Sequence, residues 1–210
     1  MNHVLYERPG WGSAMIEAQL ALYGIAHERV PVAHLYSDEA ARDAFRRINP
    51  AGQVPALVLP DGTLMTESAA ITLHLADAAR SDALVPAPGA AERPAFLRWL
   101  VFLVVQVYAP FAIGDRPEKF VPGAEAAAAL AGNVRRLRED MWRVAEAAAG
   151  APWFLGERFS ALDVFVCTMT HWTPRRPWFD ANAPKLARIA ARADALRELA
   201  AVWRRNFPNG

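Results

Sequence analysis

The chain has 210 residues, 53% of them hydrophobic and 21% charged, enough to bury a sizeable core and to divide into two small domains. Its 23 basic and 22 acidic residues nearly cancel, so no face is obliged to be strongly basic; this argues against a nucleic-acid partner and makes any anion site a local feature. The single cysteine, Cys167, excludes an intrachain disulfide and, in the apolar stretch DVFVCTM, reads as a buried, inert thiol.

The opening MNHVLYERPG has neither a basic segment nor an apolar run of leader type, so a cytoplasmic location is expected. HVLYE (3–7) reads as a strand, 13–24 as a helix ending at Gly24, ERVPV (28–32) as a strand, and 37–48 as a second helix. Ser37 is the expected N-cap of that helix, with Asp38 and Glu39 at the positive end of its dipole and Arg46 and Arg47 at the negative end. VPALVL and TLMTE then form a hairpin about Pro60-Asp61-Gly62. One of these strands opens with Pro55, which cannot donate to a ladder, and the other runs into Glu67-Ser68 at the mouth of a helix. A strand-helix-strand unit demands a parallel pair and the hairpin adds antiparallel strands, which predicts a small mixed sheet flanked by helices over residues 1–80.

Residues 81–94, SDALVPAPGAAERP, are a Pro- and Gly-rich linker, and 95–210 read as an all-helical domain. The apolar run WLVFLVVQVYAPFAIG falls short of about 18 uninterrupted apolar residues and carries Gln106 and Pro110, so it reads as a core helix that bends or ends near Pro110, and no membrane partner is expected. Leu130, Val134, Leu137, Met141 and Val144 recur at helical spacing, with Arg135, Arg138, Glu139 and Asp140 assigned to other faces. Ser160 and Asp163 form an S-x-x-D capping arrangement, read as a folding element. TPRRPWFDANAPK breaks the helical pattern before a last stretch that starts near Pro184. The histidines at 3, 27, 34, 74 and 171 show no metal-ligand spacing, and no Gly-rich phosphate loop is present, so no metal is expected.

A small α/β unit followed by an all-helical domain resembles the soluble, bacterial-type glutathione S-transferases over essentially the whole chain. Four stretches carry the resemblance: NPAGQVPAL, Glu67-Ser68, LGERFSALDVFV and the closing LRELAAVWRRN. It implies a thioredoxin-like first domain and glutathione as co-substrate. It also implies a cis bond at Val54-Pro55 that turns the Val54 backbone toward the peptide. Gln53, Val54, Pro55, Glu67 and Ser68 are then the glutathione-binding residues. The start of a helix suits the γ-glutamyl carboxylate, Ser68 adds a donor, and Glu67 faces the ammonium. The rival reading is that Glu67 and Ser68 only cap their helix.

Glutathione must react as thiolate, yet at a pKa near that of free cysteine, about 8.5, only a small fraction is ionised at neutral pH. Lowering that value by two units takes about 2.7 kcal/mol, within reach of one hydroxyl and a helix N-terminus. The segment LYERPGWGSAM departs from the family's simple patterns. Gly12 stands where cysteine-type members carry Cys, which points to a non-cysteine mechanism, and Cys167 lies too far along the chain for disulfide exchange. Ser13, also the expected N-cap of the first helix, and Tyr6 are the candidate catalytic hydroxyls, with backbone N–H groups around Gly12 as the alternative. Trp11 and Tyr108 are the candidate acceptor contacts for a hydrophobic electrophile, in a pocket expected between the domains. The resemblance implies a detoxifying transferase and a homodimer. Other glutathione reactions (isomerisation, dehalogenation, peroxide reduction) and a non-catalytic binding or regulatory protein of the same fold stay open.

Overall fold

Alternation along HVLYE decides how the first part of the chain is layered. In the computed structural model, which describes residues 2–208, strand β1 (His3–Glu7) turns Leu5 to one face of the sheet and Tyr6 to the other. Leu5 packs with Ile16 and Leu20 of α1 (Ser13–Leu22) and with Ile71 and Leu75 of α3 (Ser68–Ala79). Tyr6 lies on the face that holds Leu35, Val54, Ala56 and Phe45 of α2 (Glu39–Phe45). Strand β2 (His27–Pro31) runs parallel to β1; β3 (Ala56–Val58) and β4 (Leu64–Met65) complete the order β2-β1-β3-β4 with antiparallel pairings. This is the expected mixed sheet of a thioredoxin-like unit.

Local chemistry accounts for the boundaries. The hairpin closes through the Leu59 N–H donating to Thr63 O at 2.8 Å and the Thr63 N–H donating to Asp61 Oδ1 at 2.9 Å. Gly62, at φ +90°, takes the left-handed position that the turn needs. The α2 cap is Asp38 and not Ser37: Asp38 Oδ1 accepts from the Ala41 N–H at 2.8 Å, so the helix starts one residue later than a Ser37 cap would give.

The chain divides into two units, Met1–Ala87 together with Arg192–Gly210, and Pro88–Ala191. Residues 192–208 group with the sheet, and α10 (Ala200–Asn206) packs on α1.

The second unit is helical. The apolar run forms α4 (Arg93–Phe102), a π-helical turn (Leu103–Tyr108) and α5 (Phe111–Gly114), with Pro110 as the α5 N-cap. By length and composition Arg93–Gly114 could cross a membrane. Its Phe96, Trp99, Leu100, Leu103, Val107 and Phe111 are buried at helical spacing, which is how a core helix uses such a sequence.

Helix α6 (Ala124–Ala148) buries a different stripe from the one that apolar spacing suggests: Ala127, Val134, Arg138, Trp142 and Ala145 face inward, while Leu137 and Val144 are 46% and 43% exposed. Arg138 holds this orientation because its guanidinium lies 3.5 Å from the Phe111 ring centroid and Nη2 donates to Thr173 O at 3.3 Å.

Helix α7 (Ala161–Thr170) is buried along its whole length, Cys167 included, and depends on its cap. Asp163 accepts from the Phe154 N–H at 2.7 Å on Oδ1 and from the Ser160 N–H at 2.7 Å on Oδ2, while Ser160 Oγ accepts from the Leu162 N–H. Burial nonetheless pushes the Asp163 carboxyl up to about 6. The folded chain thus holds this proton more tightly than the unfolded one; the stability so gained is full below the ordinary value of 3.8 and is lost as pH rises through about 6. Asp163→Asn has one acceptor oxygen for two buried N–H donors. We expect it to lose about 1–3 kcal/mol in urea denaturation near neutral pH and to flatten the pH dependence between about 4 and 6.

Candidate functional site

Three chain segments stop pairing at one end of the sheet. β1 ends there at Glu7, β3 starts there after Val54-Pro55, and β4 leads there into α3, as the antiparallel registers Tyr6↔Ala56 and Leu57↔Met65 require. The segments are the loop 8–12, residues 53–55, and Glu67-Ser68.

The loop after β1 is shaped by Ser13 in an unexpected way. Gly12 is the N-cap of α1 and makes no side-chain cap, so Ser13 is the first helical residue and not its cap. Its hydroxyl instead accepts from the Arg8 N–H at 3.0 Å and donates to Arg8 O at 3.1 Å, with the residue 1% exposed. One hydroxyl carries one proton, and Arg8 O holds it. The Gly12 and Ser13 N–H groups, at the open start of α1, make no hydrogen bond to the described residues.

A buried network from the C-terminal segment fixes the same loop. Gly10, at φ +78°, donates its N–H to Asn206 Oδ1 at 3.1 Å, and a Cβ here would stand 3.2 Å from Asn206 O. Asn206 Nδ2 donates to Glu17 Oε2 at 2.8 Å; Glu17, 2% exposed, also pairs with Arg205 and with Arg29 at 3.7 Å. Asn206 carries no signal in the sequence, because its partners lie 189 and 196 residues away.

The Val54-Pro55 peptide bond is cis. The turn before it is held by Asn49, whose Nδ2 donates to Gln53 O at 2.7 Å and whose Oδ1 accepts from the Ala51 N–H at 3.1 Å. Asn49 is 4% exposed and escaped the sequence reading, although an Asn-Pro before a Gly is a turn signal. The Gln53 side chain is exposed, and Val54 is buried against the cluster that includes Tyr6 and Trp11.

Glu67 sits at φ 64°, ψ 104°, a conformation that non-glycine residues rarely adopt and that clusters at ligand clamps. It follows β4 directly and brings Ser68 to the first position of the 12-residue α3. Ser68 is 3% exposed and its Oγ has no hydrogen-bond partner, so a buried hydroxyl stands unused at the start of a helix. The Ser68 carbonyl is occupied, accepting from Thr72 Oγ1 at 2.8 Å.

Tyr6 packs on Phe45 with ring centroids 5.6 Å apart. Trp11 lies 5.1 Å from His34 and 4.7 Å from Tyr36, with the Arg8 guanidinium 5.5 Å from its ring. Tyr108 closes the π-helical turn of the second unit and packs on Trp172 at 5.3 Å, which in turn meets Phe111 at 5.1 Å.

The profile of the glutathione S-transferase N-terminal domain matches residues 13–78. The uncharacterized GST-like protein YncG of Escherichia coli K12 is 37% identical over 204 residues, 96% of this chain and 97% of that one. The chain belongs to the glutathione S-transferase family. Its fold matches a glutathione transferase homologue from Sulfitobacter with bound glutathione, at TM-score 0.82 and 22% identity over 96% of each chain. A sphingomonad glutathione S-transferase complexed with glutathione aligns at TM-score 0.69 and 27% identity, over 96% of this chain and 97% of that one. Within this transferase fold the first unit is the thioredoxin-like one, and Ser68, Val54 and Gly12 stand at the end of its sheet.

Asn206→Ala tests how the loop is held. It deprives the Gly10 N–H of its acceptor and Glu17 of a donor, so we expect a loss of about 1–3 kcal/mol in chemical denaturation. Hydrogen exchange should show the Gly10 amide losing protection relative to amides in β1.

Proposed function

We propose that this chain binds glutathione and activates it as a thiolate for attack on an electrophilic small molecule. The observation that carries the reading is the partnerless Ser68 hydroxyl, buried at the N-terminus of α3 beside Glu67 in its left-handed conformation. That arrangement offers a donor and a positive helix end to the γ-glutamyl carboxylate, and the exposed Glu67 carboxylate to the ammonium. Val54 supplies backbone groups to the peptide, and Gln53 reaches the same segment.

The sulfur is held by the Gly12 and Ser13 N–H groups. They are unused donors at the positive end of a 10-residue helix, whereas the Ser13 hydroxyl has already given its proton to Arg8 O. Ser13 then acts by shaping the loop, and Tyr6 by packing beneath it. Trp11, in the loop after β1, is the aromatic contact for a hydrophobic electrophile in a cytoplasmic, detoxifying reaction; no metal takes part in this chemistry.

The committed Ser13 proton also favours a second reading, a glutathione-binding protein without transferase activity. Calorimetry and thiolate absorbance separate the two. Ser68→Ala should weaken glutathione binding by about 1.5–3 kcal/mol with the fold intact. Ser13→Ala should leave the pKa of the bound thiol within about half a unit of the parent while costing about 1 kcal/mol of stability. A rise of a unit or more would return the role to the hydroxyl. Glutathione binding without any thiolate signal in the parent would select the non-catalytic reading.

The dimer expected of this family has a surface to use. Val101 and Val105 are 54% and 52% exposed one turn apart on the α4–π segment, and α6, which packs against that segment, exposes Leu137 and Val144. Four apolar side chains on two adjoining helices suit a self-complementary interface. Val101→Glu with Val105→Glu should convert a dimer to a monomer by light scattering, with glutathione affinity retained in the first unit.

A further inference from the structure

The open donors at the start of α1 lie between two anchor points of a single side chain. Asn206, buried at the end of α10, accepts the Gly10 N–H on Oδ1 at 3.1 Å, and its Nδ2 donates to Glu17 Oε2 at 2.8 Å and to Val202 O at 3.0 Å. Gly12 and Ser13 fall between residues 10 and 17. A carboxylate and a carbonyl can only accept, so both amide hydrogens are committed to them and the amide oxygen is the atom left to face Gly10. Glu17 is itself held by Arg205 and Arg29. The last turn of α10 also closes on Gly10: a Cβ there would stand 3.2 Å from Asn206 O and 3.9 Å from Phe207 Cε1, at a φ of +78°. Within the loop, Arg8 is held by the Ser13 hydroxyl and by the Trp11 N–H on its carbonyl at 3.1 Å, so the shape of the turn is an internal matter. Asn206 adds a tie from the middle of the turn to the body of α1.

We propose that Asn206 is a positioning residue for glutathione activation, fixing the direction in which the Gly12 and Ser13 N–H groups meet the sulfur. The inference rests on the reading that these amides hold the thiolate. A hydrogen bond weakens steeply as its angle closes, and an anion held by two backbone donors gains from both only while both point at it. A side-chain hydroxyl can swing to follow the sulfur. A backbone amide moves only with its loop, so its aim has to be set by whatever holds the loop. The residue type follows from that task. One group must accept from Gly10 and donate to Glu17 at once; a carboxylate in its place would repel Glu17, and an apolar side chain would offer neither function. Asn206 acts through Gly10 and not by contact with the sulfur.

The test uses the whole chain with two probes: glutathione, its bound thiolate titrated by ultraviolet absorbance, and S-methylglutathione, which has no thiol to ionise, by calorimetry. Asn206→Ala should raise the pKa of the bound thiol by about one unit, tenfold less thiolate at a given pH below it, and leave S-methylglutathione affinity at the parental value. Gly10→Ala disturbs the same contact from its other side and should give a like shift; in the double variant the two shifts should not add. Asp163→Asn, destabilised in the helical unit, is the control for stability and should keep the parental thiol pKa. An equal rise in Asp163→Asn, additive shifts in the double variant, or S-methylglutathione affinity lost in step with the thiolate overturns the proposal. If Asn206→Ala fails to fold, Gly10→Ala decides by the same readings. A parent that does not bind glutathione, or binds it without thiolate absorbance, defeats the proposed activation and this inference with it. A thiolate in the parent whose pKa is unchanged in either folded variant defeats this inference alone.

Discussion

Glu17 is a carboxylate buried on the first helix, and the packing at that helix follows from the need to pair it. An unpaired charge in such a place is prohibitive, and a paired one is tolerated only with its oxygens satisfied. Arg205, Arg29 and Asn206 meet that demand. Two of the three come from the last helix of the chain, so satisfying one carboxylate docks α10 on α1. Asn206, with its amide nitrogen on Glu17, has its oxygen left for the Gly10 N–H. The loop after β1 thus takes its position from a residue near the C-terminus.

That positioning matters because the useful donors at this end of the sheet belong to the backbone. Helix N-termini leave N–H groups without partners, and both α1 and α3 begin here. At α3 the side chain adds to the effect, since Ser68 Oγ is free. At α1 it does not, since Ser13 is consumed by Arg8. The two helices therefore contribute differently, one a hydroxyl with its dipole and the other bare amides whose aim depends on the loop.

In the helical unit the same economy of burial works against the apolar pattern. A guanidinium can enter a core when an aromatic face and a carbonyl receive it, and Arg138 has Phe111 and Thr173. Rotating α6 to bury Arg138 and Trp142 turns Leu137 and Val144 outward. Leu137 and Val144, which the period of 3.6 assigns to a core stripe, become surface.

The sequence by itself determined what is local. Period-two alternation placed Leu5 and Tyr6 on opposite faces, turn chemistry at Pro60-Asp61-Gly62 set the hairpin, and S-x-x-D at Ser160–Asp163 specified the α7 cap, because each depends on residues within a few positions of one another. It also singled out Glu67-Ser68 and Val54-Pro55, whose meaning comes from their place at element ends. Only the tertiary structure decided the rest. Ser13 reads as a cap until Arg8 folds back over it, and Asn206 is mute until the chain returns from nearly two hundred residues away. Arg138 looks like a solvated charge until Phe111 arrives beneath it. In each case the deciding partner is brought by packing, and the free energy of a polar group depends on who its neighbours are once water has been removed.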